Sequence, residues 1–481
     1  MNKLLAVYDN EGLAAPIEYS FRLLLSGYDI DYRIMPLKRL KPGDFRPGQT
    51  LVISYGEQKS GLAFKPHIHI YASDFFGKNY LKDASLPKKT LKRYQGIPVI
   101  YVGQGQLDDL VVQSQDAIET NLDIIASAFF LVSRYEEVLS DARDEFDRFP
   151  ATASLAYRHN FLDKPVVNEY MAWLRQWIDG FDLGFRRGKP WGDQDFAVCL
   201  THDIDEITRY KPYPPLVAMK NALRKEGLRK AWDIYVDYMK TKADMKRDPY
   251  RDAFDYLMNM EEQLGFSSSF YFMADDERYH LDSPYAKEML ATIKNQGGEV
   301  GIHPSFAAYD HPDVLKSETG RLAEISGSKV SGGRQHYLKW QAPRSWRDWE
   351  AAGLSYDGTL GFAGHEGFRG GICHPFQPFD LTENRVIDLW EVPLTVMDGT
   401  LASYRGLSAE EGQDILTGLL NAVEKYNGVF VLLWHNAFMC DLFTPDWKEC
   451  FEGFYREIAS RNALVGPTSD ILASWQQSAR W

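Results

Sequence analysis

The chain is poor in cysteine, carries no positive excess and lacks a long apolar run. Four cysteines (Cys199, Cys373, Cys440, Cys450) are scattered among 481 residues without the paired spacing of a thiolate zinc site. That excludes a disulfide framework and points to a reducing compartment. Setting 67 acidic against 54 basic residues leaves a net charge of −13, which argues against a general nucleic-acid binder. Uncharged stretches such as 124–133 and 426–440 fall short of the ~20 residues that a membrane helix needs. The start, MNKLLAVYDNEG, offers five apolar residues before Asp9, too few for a secretory signal core, so a cytoplasmic protein is expected. There is no fixed-period repeat, no low-complexity tract, and no glycine-rich dinucleotide fingerprint after the first strand.

What is present is the composition of a soluble globular protein, 44% hydrophobic and 25% charged, with room for two or three domains at roughly 100–200 residues each. Strand-like runs at 4–8, 51–54 and 97–103 and helical patterns at 17–28, 121–141 and 166–181 suggest an N-terminal α/β domain over residues 1–185. The stretch DLGFRRGKPWGDQD (182–195) is the best boundary. Beyond it, over 195–481, strands alternate with helices: FAVCLT, SSFYFM, EVGIH, RQHYLKW, LSYDG, VIDLWEVPL and GVFVLLWH. Some seven βα units in one stretch predict a parallel α/β fold, most economically closed as a barrel.

Several histidines and carboxylates fall at predicted strand ends, which in a parallel barrel gather around one site. LTHDID places Asp203 and Asp205 at the exit of an apolar strand, where one can serve a metal and the other act as a base. GIHPS supplies His303. RQHYLKW puts Arg334 and His336 on one face if it is a strand, and GVFVLLWHN delivers His435. Each has a structural explanation when taken alone, as a helix cap, a core histidine or a surface pair. Their succession at strand ends is what points to a site.

The ordered set LTHDID, GIHPS, RQHYLKW, GFRGG and LLWHN resembles the polysaccharide deacetylase family, carbohydrate esterase family four. Together with SAFFLVSRYEE and RFPATASLAYRHNFLDKPVV, it is similar to a bacterial subgroup with an N-terminal α/β domain of unassigned role. The resemblance implies a distorted barrel and metal-assisted removal of N-acetyl (or O-acetyl) groups from a carbohydrate or glycan precursor. Carried over, Asp203 matches the general base, Arg334 the arginine that orients it, and His435 the general acid. Asp205 and His303 match two ligands of a divalent metal, Zn2+ being the natural choice. The family's second metal histidine usually follows four residues after the first, where this chain has Ala307. His311 on a longer loop and His336 on the next strand are the substitutes, and His336 is preferred because a strand holds a ligand more rigidly.

Two other readings are an amide hydrolase acting on a small non-sugar substrate and a non-catalytic carbohydrate-binding protein on a degenerate barrel. The loop 361–380, with His365, Arg369 and His374, suits either a sugar-binding lid or a structural role. Trp340 and Trp434 suit sugar stacking or the core. Residues 206–251 form a long insertion with 12 Lys/Arg against 6 Asp/Glu, helical in its middle. A basic helix bearing apolar residues suggests peripheral contact with an anionic membrane at its inner face. No protein partner is expected.

Overall fold

Lys3–Tyr8 (β1) is buried at every position but its first, as befits a strand covered on both faces. It pairs in parallel with Tyr32–Pro36 (β2) and with Thr50–Gly56 (β3). His67–Tyr71 (β4) continues the sheet, and Val111–Gln113 (β5) closes its edge antiparallel to Ala117–Thr120 (β6). The computed structural model describes residues 3–29, 31–59, 64–210, 214–274 and 279–478, and this first sheet runs β2-β1-β3-β4-β6-β5. Helices Ala14–Leu25 (α1), Ile124–Val132 (α2) and Val166–Asp179 (α3) contact one another and share the same apolar core as the sheet.

The pattern beginning at Asn121 is two helices rather than one. It breaks at Arg134, whose φ is 55°. That turn lets the buried Arg134 guanidinium donate to the carbonyls of Leu131 (2.7 Å) and Arg369 (2.5 Å) and pair with Glu137. The run at 97–103 likewise contributes only Ile97–Val99, in a two-stranded ribbon with Lys92–Tyr94.

The second sheet is the expected barrel, distorted and entirely parallel. Its strands are Phe196–Ile204 (β7), Ser269–Phe272 (β8), Glu299–Ile302 (β9), Gly332–Gly333 (β10), Tyr356–Asp357 (β11), Trp390–Glu391 (β12), Val396–Met397 (β13), Val429–Leu433 (β14) and Ala463–Gly466 (β15). Pairing follows β12-β11-β10-β9-β8-β7-β14-β13, with β15 beside the first half of β7. The two end strands, β12 and β13, are joined by a short stretch of chain, so the sheet curls round on itself. Side chains alternate as the period of two requires. Ala197, Cys199, Tyr271, Tyr356 and Val431 fill the inside, while Val198, Leu200, Phe270 and Phe272 face the large outer core that also contains the first sheet's residues.

Helices return the chain between strands. Leu216–Lys225 (α4) and Leu228–Ala243 (α5) form a hairpin within the insertion, followed by Pro249–Leu264 (α6). Residues 211–213 of that insertion lie outside the described residues. Asp248 caps α6 by accepting from the Tyr250 backbone, with Pro249 at the first position and Gly265 at φ 69° ending it, a start and stop that the sequence signals clearly. Pro284–Asn295 (α7), Pro312–Ser326 (α8), Arg344–Ala352 (α9), Ala409–Lys425 (α10), Pro445–Ala459 (α11) and Thr468–Ser478 (α12) complete the set.

Two strand expectations are corrected. RQHYLKW is not a strand. Pairing stops at Gly332–Gly333, where a side chain at Gly333 would meet the Ile302 carbonyl at 1.8 Å, and the chain then enters a 3-10 turn at His336–Leu338. VIDLWEVPL is divided between a ribbon, Phe379–Asp380 with Arg385–Val386, and barrel strand β12.

Candidate active site

The site is built where β7 ends. Period-two alternation directs Thr201 and Asp203 to the barrel interior and sends His202 outward, where it is buried with Nδ1 2.7 Å from the Trp434 carbonyl and its ring against Phe270. Asp203 is buried. Its Oδ1 accepts from Arg334 Nη1 at 2.9 Å. Arg334, wholly enclosed, also donates from Nη1 to Thr201 Oγ1 and from Nε to the Gly358 carbonyl, each at 2.9 Å, and lies over the Tyr271 ring. The guanidinium is thus held on three sides before it reaches the carboxylate.

Asp205, two residues on, sits at the centre of three histidines. Its Oδ1 is 3.4 Å from His303 Nε2 and 3.3 Å from His336 Nε2. Its Oδ2 is 3.8 Å from His435 Nε2. Burial would raise the Asp205 carboxyl, but hydrogen bonds from His303 and His336 hold it well below the usual carboxylate range. His303 Nδ1 lies 2.7 Å from the Arg334 carbonyl; donation there leaves Nε2 facing Asp205. Burial disfavours charge on His303, yet Asp203 and Asp205 outweigh it and raise its pKa.

Asp205, His303 and His336 present ligand atoms all within 4.8 Å of one another. Two imidazole nitrogens and one anionic oxygen, with the second nitrogen of His303 already anchored on a backbone carbonyl, form a donor set that fits a divalent metal, and zinc is one such ion. His311 is not part of the group. It is 67% exposed and its nearest acidic neighbour is Asp310.

His435 follows β14. Its Nδ1 is 2.7 Å from Asp398 Oδ1, and its backbone N–H donates to Asp398 Oδ2 at 2.5 Å. Burial works against a charged ring here, but the wholly buried Asp398 carboxylate prevails and pushes the His435 pKa up to about 10. Asp398 escapes the sequence reading. It follows a strand of only two residues, and its Asp-Gly step reads as a turn.

These groups border a cavity of about 330 Å3 whose walls include Asp203, Asp205, His303, His336, His435 and Tyr337. Glu206 and Tyr250, at the two ends of the insertion, also line it. Other sequence candidates lie elsewhere. Trp340 and Trp434 are fully buried in the core. In the loop 361–380, Arg369 is buried and pairs bidentately with Glu137 at 2.9 and 2.6 Å, while buried His374 contacts Asn168 and the Tyr426 carbonyl. For those two residues the structural alternative holds.

Residues 5–182 match the model of a family of unknown function, DUF7033. No curated protein matches the chain. Among solved structures, a candidate polysaccharide deacetylase from Mycobacterium smegmatis is 17% identical, with a TM-score of 0.41 over 60% of this chain and 93% of that one. A family 4 carbohydrate esterase from Streptomyces lividans is 10% identical, with a TM-score of 0.31 over 60% of this chain and 98% of the other. A family 4 pseudoenzyme from Bacillus anthracis is 8% identical, with a TM-score of 0.30 over 58% and 66%.

Proposed function

We propose that the chain is a metal-dependent hydrolase of the polysaccharide deacetylase family that removes acetyl groups, chiefly N-acetyl, from a carbohydrate or glycan precursor. The observation that carries this reading is the arrangement around Asp205. An arginine-held carboxylate, Asp203, and a carboxylate-held histidine, His435, both border the cavity that contains the Asp205–His303–His336 trio. A divalent cation bound by that trio would polarise an amide carbonyl and acidify water.

The protein's own groups do the rest. Asp203 accepts the proton of the attacking water at Oδ2, since Oδ1 is engaged by Arg334. Arg334 keeps that carboxylate fixed in place. His435, protonated at neutral pH because of Asp398, donates from Nε2 to the departing nitrogen. A matched acid and base favour this reading over a carbohydrate-binding module. The test is acetate release from N-acetylated oligosaccharides compared with small non-sugar amides, with and without a chelator. Chelator-sensitive release from the sugars supports the reading, and turnover of the small amides alone would replace it.

The proposal extends to where the substrate is met. On the α4–α5 hairpin, Leu228 is 79%, Val217 74% and Trp232 63% exposed. Leu228, Trp232 and Met239 recur at helical spacing on α5, and all three are exposed. Lys220, Arg224, Lys225 and Arg229 are exposed among them. An exposed apolar stripe among cations, in a chain of −13, has the chemistry of a peripheral contact with anionic lipid. Because Glu206 and Tyr250 join the insertion to the cavity wall, such contact would bring a lipid-linked glycan near the site. No described helix is long and apolar enough to cross a membrane.

A further inference from the structure

His336 begins a turn that its own sequence does not favour. The next two residues, Tyr337 and Leu338, have φ of 59° and 50°, left-handed backbone that bulky side chains rarely adopt. What holds this turn comes from residues 144–148, within the N-terminal segment and 189 residues away in sequence. Arg148 Nη1 donates to the Tyr337 carbonyl at 2.7 Å. The Phe146 and Tyr337 rings stack at 5.4 Å with planes 9° apart.

The supporting segment is itself fixed. Asp144 Oδ1 accepts from the backbone N–H groups of Phe146 and Arg148, both at 2.9 Å, and Oδ2 accepts from Arg148 Nε at 2.8 Å. The buried Arg148 guanidinium lies 4.8 Å from the Phe146 ring centre and 5.8 Å from that of Tyr404. Tyr337 and Tyr404 both line the catalytic cavity. Tyr337 adjoins the ligand His336, and Tyr404 ends the short helix Thr400–Tyr404 that follows Asp398. One buried arginine therefore touches the metal-ligand side and the acid-histidine side of the cleft.

We propose that Arg148 is a positioning residue of the metal centre, and that the N-terminal segment acts in the chemistry by holding the His336 turn in its ligating form. This rests on the ligand set proposed above. Side chains that orient a metal ligand without touching the metal are commonly worth ~10–100-fold in metal affinity.

The experiment uses the full chain, Zn2+ affinity by competition with a chromophoric chelator, and the visible spectrum of the Co2+-loaded protein. Arg148→Ala is expected to bind Zn2+ about 10-fold or more weakly and to shift the Co2+ bands, and Arg148→Lys to recover part of both. If Arg148→Ala does not fold, Phe146→Leu, which leaves the Asp144–Arg148 pair in place, is expected to weaken Zn2+ several-fold. Wild-type affinity and spectrum in the folded variant, with His336→Ala unable to hold the metal, would overturn the positioning role and leave the ligand set standing. Wild-type Zn2+ affinity in His336→Ala would overturn the ligand set itself, and the positioning role with it.

Discussion

Asp398 receives His435 at two points, ring nitrogen Nδ1 at 2.7 Å and backbone nitrogen at 2.5 Å, and so fixes both the orientation and the charge of that imidazole. The folded pKa of about 10 stands above the ordinary 6.5. The pair's contribution to stability is therefore fully present below pH 6.5 and is lost as pH rises through about 10. Asp398→Asn removes the charge. The alkaline limb of the rate profile should move down towards the ordinary histidine range, and kcat at pH 8 should fall by ~10²-fold or more, the usual worth of a positioned acid. A profile unchanged in shape and height would show that His435 is not the acid.

The clamp between the two parts of the chain makes a separate stability prediction. Glu137 is buried and accepts from both Arg134 and Arg369. Glu137→Ala leaves the buried Arg369 guanidinium without its carboxylate and Arg134 with Glu136 at 3.6 Å, a loss of about 3–5 kcal/mol. Glu137→Gln, which keeps the shape, should cost less. Urea unfolding of the three proteins measures both differences, and equal midpoints would mean that the clamp adds nothing to stability.

For the insertion, the quadruple substitution of Arg224, Lys225, Arg229 and Lys230 by Glu should abolish co-sedimentation with vesicles rich in anionic lipid at low salt. Wild-type binding should itself weaken as salt rises. Recovery of both proteins in the vesicle-free supernatant would leave the hairpin without a lipid role. Binding of both to a second copy of the chain, detected by sedimentation velocity, would reassign the apolar stripe to self-association.

Much of the barrel was legible because β7 is a long apolar run, buried throughout, and opens a rhythm of strands and helices. Thr201, Asp203 and Asp205 follow at intervals of two, and the structure brings Asp203 and Asp205 together with His303, His336 and His435 around one cavity. His336 stands beside Asp205 and His303, but not from the strand wall that the sequence suggests. Its place depends on two glycines pressed against neighbouring strands and on a left-handed turn, not on a strand wall. Asp398 was illegible because a two-residue strand has no period to read. The break at Arg134 and the reach of Arg148 to Tyr337 were illegible for a further reason. Both are set by partners more than a hundred residues away, and local propensity yields to such contacts.

The most direct test separates metal binding from turnover in a single variant. Asp203→Asn keeps Asp205, His303 and His336, so the purified protein should hold metal at the wild-type stoichiometry, measured by inductively coupled plasma mass spectrometry. Acetate release from an N-acetylated oligosaccharide should fall by ~10²–10⁴-fold. Metal retained and acetate release lost is the expected result. Wild-type acetate release by Asp203→Asn, or a wild-type protein that binds metal and releases no acetate from any acetylated sugar, would contradict it.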